Sequence, residues 1–124
     1  MAENYHEPYP QLSDTAHDMH RALQSVKEEI DAVDWYLQRI DITPDPELKA
    51  ILIHNRDEEK EHAAMVLEWI RRRDPAFDEA LSTYLFTEGD LLAIEEEHEG
   101  GKGAGEGEAA SGRSVGRLTV GSLR

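Results

Sequence analysis

The chain has no cysteine, which removes disulfides, zinc–thiolate centres and thiol catalysis from consideration. Positive charge is scarce: 13 Lys and Arg stand against 27 Asp and Glu, a formal net charge of −14. That balance disfavours nucleic acid and anionic membranes as partners and suits attraction of cations. No apolar run approaches the ~20 residues that span a bilayer. Met1-Ala2-Glu3-Asn4-Tyr5-His6-Glu7-Pro8 has neither the basic start nor the apolar run of a secretory signal, so a soluble cytoplasmic protein is expected.

With 124 residues the chain is one domain at most. Its last quarter has the composition of a tether, which leaves roughly ninety residues for a core. A domain of that size buries a modest share of its surface, so association with other copies is expected.

Residues 1–12 carry Pro8 and Pro10 and read as an irregular lead-in. Ser13 or Thr15 can cap a helix, and Thr15 with Asp18 resembles a capping box. Met19, Leu23, Val26, Ile30, Val33, Leu37 and Ile40 then alternate steps of four and three, which predicts a helix over about 14–40. Asp45 is a good N-cap and Pro46 a good first residue for a second helix over about 46–72, which closes on Arg71-Arg72-Arg73. So short a connection makes the pair an antiparallel hairpin. Asp74-Pro75 opens a shorter helix to about Leu85, and Asp90 to about His98 forms a further helical segment. The folded region is thus 13–98, all-α. Residues 99–117 read as a Gly-rich flexible linker, and Leu118-Thr119-Val120-Gly121-Ser122-Leu123-Arg124 has the form of a docking peptide at its free end.

One pattern inside the second helix points to chemistry. Leu48, Leu52, Asn55, Glu59, His62, Val66 and Trp69 share one helix face, yet Glu59 and His62 do not suit burial unaided. A carboxylate and an imidazole at i and i+3 can hold one metal ion, and Glu-x-x-His is the repeated half-motif of di-iron carboxylate bundles. No second copy occurs on the first helix. There the row Ala22, Val26, Glu29, Val33, Tyr36, Ile40 offers Glu29 instead. At 1.5 Å rise per residue Glu29 and Glu59 lie roughly 16 and 20 Å from the turn, level across the hairpin. Two hairpins about a two-fold axis would supply Glu29, Glu59 and His62 twice, completing a four-helix bundle around two metals. Oxygen-rich ligation with one imidazole per metal suits iron or manganese. The bland reading remains beside this one: Glu58, Glu59 and Glu61 as a solvated charge run. His17 and His20 fit a structural or exposed role better than a metal site, and His54 fits a surface position.

At these residues the sequence resembles the encapsulated ferritins. The blocks that carry the resemblance are His20-Arg21-Ala22, Glu28 through Tyr36, His54 through Met65, and Thr83 through Glu88. It implies a ferroxidase centre shared by two chains, with Glu59 bridging and Trp35 and Tyr36 nearby. Positions 28 and 31 would form a cation entry site, and here the second is Asp31 where Glu is usual. Leu118–Arg124 is similar to the targeting peptide that binds the inner wall of an encapsulin shell, and a ring of dimers is implied as the assembly. The expected course is that Fe(II) passes Glu28 and Asp31, binds at Glu29, Glu59 and His62, and gives electrons to dioxygen. Tyr36 either orders water or supplies an electron, or simply packs. Two competitors stand beside it: a scaffold whose metal only staples the dimer, and a rubrerythrin-like peroxidase. The missing cysteines weaken the latter.

Overall fold

Every α-helix of the computed structural model begins at a side-chain oxygen that accepts an N–H left over from the first turn. The structure describes residues 4–104 (side chains through 101). Helix α1, Asp14–Ile42, starts at Ser13, whose Oγ accepts the Ala16 N–H at 3.1 Å; Ser13, not Thr15, is the cap. It ends at Thr43, whose N–H and hydroxyl both donate to the Arg39 carbonyl, and Pro44 follows. Helix α2, Pro46–Arg73, is capped by Asp45 through the Leu48 N–H at 2.8 Å. Helix α3, Pro75–Tyr84, is capped by Asp74 through the Phe77 N–H at 3.0 Å. Helix α4, Leu91–Ala104, is capped by Asp90 through the Ala93 N–H at 2.9 Å.

Two boundaries move from their sequence-based places: α1 ends at Ile42 and not at about residue 40, and α4 extends past His98. Within the lead-in 1–12, Tyr9–Gln11 forms a 3-10 turn. Helix α4 runs beyond Glu99 through Gly100 and Gly101 to Ala104, into the stretch expected as linker. Each glycine costs a helix about 1 kcal/mol, but adding a residue to an existing helix avoids the nucleation penalty. The rest of the expected linker, from 105, and the segment Leu118–Arg124 lie outside the described residues.

The chain divides into two compact units, residues 1–70 and the part from Arg71 onward. In the first, α1 and α2 form the expected hairpin. Ala22 and Ile40 of α1 are buried, as are Ala63 and Ile70 of α2. The inner ridge of α1 is Ala22, Val26, Glu29, Val33, Tyr36 and Ile40, all buried or half-buried. The seam expected to face inward is split: Leu23, Ile30 and Leu37 lie between two-fifths and just over half exposed. Ile30, Trp35, Ile51 and Met65 each keep half or more of their surface in water. One hairpin therefore leaves much of its apolar surface uncovered, more than scattered single side chains would account for.

The N-terminal segment is fastened to α1 by aromatic contacts. The Tyr5 ring stacks on His20 at 4.0 Å between centroids, and the Tyr9 ring lies 3.9 Å from His17. His17 is buried, its Nε2 3.1 Å from the Tyr9 carbonyl and its Nδ1 3.3 Å from the Tyr5 hydroxyl. A carbonyl only accepts, so Nε2 carries the proton and Nδ1 accepts from Tyr5. Both nitrogens are thus engaged, and the His17/His20 pair is structural.

In the second unit, α3 and α4 meet through His98 Nε2 and Glu79 Oε2 at 2.9 Å. Thr83 is buried and donates its hydroxyl to the Glu79 carbonyl at 2.7 Å. Phe86 with φ 62° and Gly89 with φ 99° turn the chain between these helices.

Candidate metal centre

Helix geometry puts two carboxylates and one imidazole at one height. Glu29 is thirteen residues before the end of α1, and Glu59 is thirteen after the start of α2. Both therefore sit ~20 Å from the turn at 1.5 Å per residue. The two extra residues of α1 bring them closer to level than the sequence reading had them. His62 follows Glu59 by one turn on the same face, so all three meet across the hairpin.

Ligand atoms of Glu29, Glu59 and His62 all lie within 4.8 Å of one another, the one such group of three or more acidic or imidazole side chains found among the described residues. His62 Nδ1 is 3.3 Å from Glu59 Oε1 and 3.8 Å from Glu29 Oε1. The side chains of Glu29 and Glu59 are 26% and 25% exposed, and that of His62 is 47% exposed. The cluster is therefore open on one side.

Its electrostatics are those of a cation site without its counter-charge. The Glu29 pKa is raised, first by a hydrogen bond with Glu59, then by partial burial and by repulsion from Glu59, with His62 opposing. Glu59 is lowered, chiefly by the hydrogen bond from Glu29, helped by His62 and opposed by partial burial. Side by side, each carboxylate disfavours the charged form of the other, the ordinary consequence of neighbouring like charges. A divalent ion between them would favour the charged form of both. Two carboxylates and an imidazole per chain fit such an ion, and no soft sulfur donor biases the site toward copper.

The acidic run of α2 is split by the helix. Asp57 points to solvent and is held below its usual pKa first by a hydrogen bond from Arg56, with Lys60 assisting. Glu59 turns inward. The solvated-face reading therefore describes Glu58 and Glu61, but not Glu59. Glu28 and Asp31 are exposed on α1 and stand outside the three-residue cluster. Tyr36 is half-buried two turns along α1 from Glu29, with the Arg39 guanidinium 5.5 Å from its ring centre. Trp35 is half exposed.

One arrangement was not anticipated. Glu58 Oε1 lies 3.8 Å from His62 Nε2, on the side of the ring away from Glu29 and Glu59, and its Oε2 lies 3.7 Å from His54 Nε2. The signal was present in the spacing: His54, Glu58 and His62 follow one another at i, i+4, i+8 on one helix stripe.

With this geometry in hand, comparison with known proteins is informative. A family model described as EncFtn-like matches residues 4–88, a span containing every residue of the cluster. The encapsulated ferritin-like protein of Rhodospirillum rubrum is 56% identical over 122 residues, covering 96% of this chain and 86% of that protein. A ferritin-like protein of Thermotoga maritima is 57% identical over 101 residues, covering 82% and 89%. The encapsulin nanocompartment cargo protein EncC of Myxococcus xanthus is 41% identical over 108 residues, covering 81% and 79%. Among solved structures, protein ne0167 from Nitrosomonas europaea superposes with a TM-score of 0.70 at 62% identity, covering 71% of this chain and 97% of that one.

Proposed function

Since the chain belongs to the EncFtn-like family, the encapsulated ferritins, we propose that it is a ferroxidase that oxidises Fe(II) to Fe(III) with dioxygen and supplies iron for storage inside an encapsulin shell. The observation that carries this reading is the convergence of ligand atoms of Glu29, Glu59 and His62 within 4.8 Å of one another.

One chain offers three ligand groups on a site open to one side, which is half of a di-iron carboxylate set. Two chains related by a two-fold axis supply the other half, and the uncovered apolar residues of the hairpin give such a pairing its driving force. In the assembled site Fe(II) is the substrate. Glu28 and Asp31, exposed beside Glu29, attract it toward the cluster. Glu29 and Glu59 bind the ion with His62. Their charge favours the trivalent product over the divalent substrate, so the site lowers the cost of taking an electron from each iron. Dioxygen accepts the two electrons. Tyr36, on the same face as Glu29, orders water or relays an electron toward the site.

A hairpin encloses no storage cavity, so the oxidised iron is held by a container outside the chain. A relative from Myxococcus xanthus bears the name of an encapsulin cargo protein. Leu118–Arg124, with three aliphatic residues at the end of a glycine-rich stretch, is the segment we assign to shell docking. A ring of dimers in a cytoplasmic nanocompartment is the proposed state.

Oxygen consumption after anaerobic protein receives Fe(II) and air tests the reading. The expected result is uptake in the wild type and its loss in Glu59→Ala at unchanged oligomer mass. A wild type that binds iron yet takes up no oxygen above the uncatalysed rate would make the metal a staple and overturn the ferroxidase assignment.

A further inference from the structure

The contacts of His62 on its outward side assign a role to a residue outside the ligand set. We propose that Glu58 is a positioning residue for the metal centre, an inference that rests on the metal-site reading given above. It holds the outer nitrogen of His62 as an N–H donor so that the inner nitrogen presents its lone pair to the metal.

The geometry separates the two ring nitrogens. Nδ1 faces Glu59 at 3.3 Å and Glu29 at 3.8 Å, and Nε2 faces Glu58 at 3.8 Å. A neutral imidazole has one proton and one lone pair, and only the lone pair can ligate. Nδ1 has the nearer carboxylates, and a cation held among Glu29, Glu59 and Nδ1 would take that lone pair and leave the ring proton on Nε2, where Glu58 is the carboxylate in reach. Metal-binding histidines commonly donate their second N–H to such a partner, which fixes both tautomer and ring orientation. The separation of 3.8 Å is longer than a hydrogen bond, and the half-exposed Glu58 side chain would have to move inward to accept the Nε2–H directly. Glu58 has a second anchor: its other oxygen lies 3.7 Å from His54 Nε2. The stripe His54–Glu58–His62 is thus a carboxylate set between two imidazoles along one face of α2. Glu58 lies outside the three-residue cluster, so its route to the metal is through His62.

Zn(II), which cannot be oxidised and gives no turnover, is the probe. The tight site is defined as the binding lost in Glu59→Ala. Titration calorimetry on the full-length protein is expected to show zinc affinity down about tenfold in Glu58→Ala and by a smaller factor in Glu58→Gln, whose carbonyl still accepts the N–H. Glu61→Gln, which removes an exposed carboxylate on the same turn, is the control for bulk charge and is expected to bind as the wild type. Oligomer mass and apo melting temperature are expected to be unchanged in all three. A crystal structure of the zinc-bound wild type is expected to show Nδ1 of His62 on the metal and Glu58 hydrogen-bonded to Nε2. Wild-type affinity in Glu58→Ala, an equal loss in Glu61→Gln, or zinc on Nε2 overturns the proposal. Intact zinc binding with no oxygen uptake on iron would instead sink the ferroxidase reading and leave the role of Glu58 standing.

Discussion

If each metal pair needs ligands from two chains, a mixture of competent and disabled chains behaves differently from a mixture of independent sites. The perturbation is Glu59→Ala, which removes the carboxylate 3.3 Å from His62 and leaves one chain with two ligand groups of its three. Chains carrying different tags are co-expressed in equal amounts so that they pair at random. Under the shared-site geometry only pairs of two intact chains hold all six ligands, so activity per total chain falls to about a quarter. Self-sufficient chains would retain about one half, because each intact chain would work whatever its neighbour. Varying the mutant fraction sharpens the distinction: activity follows the square of the intact fraction in one case and the fraction itself in the other. The openness of the cluster, with His62 47% exposed, is the structural reason to expect the square. Initial rates of oxygen uptake, normalised to total chain measured by mass spectrometry, are the assay. A straight line through the mixtures would refute the shared centre.

Other outcomes follow from the same structure. Glu29 has a raised pKa and so binds a proton more tightly folded than unfolded; its contribution to apo stability is full below the ordinary glutamate value and is lost as pH rises through the raised one. Glu59, lowered, contributes in the opposite sense, above the ordinary value and less as pH falls through its own. A divalent ion and a proton compete for the Glu29 carboxylate. Metal affinity is therefore expected to drop roughly tenfold per pH unit below the raised Glu29 value, and bound metal to remove the loss of melting temperature above it. Calorimetry and thermal melts across pH check both; affinity independent of pH there would contradict that competition. Ile70→Ala, at a side chain 0% exposed, is expected to cost about 3 kcal/mol in denaturant unfolding. Asp74→Ala removes the cap of α3 and is expected to cost about 1 kcal/mol, read by the same unfolding curves. Tyr36→Phe keeps the ring under Arg39 and removes the hydroxyl; slowed oxygen uptake with unchanged zinc affinity is the expected result, and an unchanged rate would reduce Tyr36 to packing.

Local chemistry made much of this molecule legible in one dimension. Asp45, Asp74 and Asp90 each read as helix starts and each accepts an N–H three residues on, because capping involves neighbours in sequence only. The level of Glu29 with Glu59 was also readable, since a short turn and a constant rise per residue determine height along a hairpin. Ser13 against Thr15 was not, because both carry an acceptor and only the backbone angles choose.

Rotation about the helix axis is where the sequence ran out. The spacing of α1 supports two overlapping apolar ridges, one through Ile30 and one through Glu29, and periodicity gives no reason to bury the polar one. Packing against α2 chose the ridge with Ala22 and Ile40, leaving Leu23, Ile30 and Leu37 outside. That choice brings Glu29 to Glu59, and the contact raises the Glu29 pKa while lowering that of Glu59. Composition and pattern alone determined an acidic, cysteine-free helical hairpin with its candidate ligands at one height. Tertiary structure decided which face each helix turns inward, and with it that Glu58 stands behind His62, because contacts between faces depend on angles that no single helix encodes.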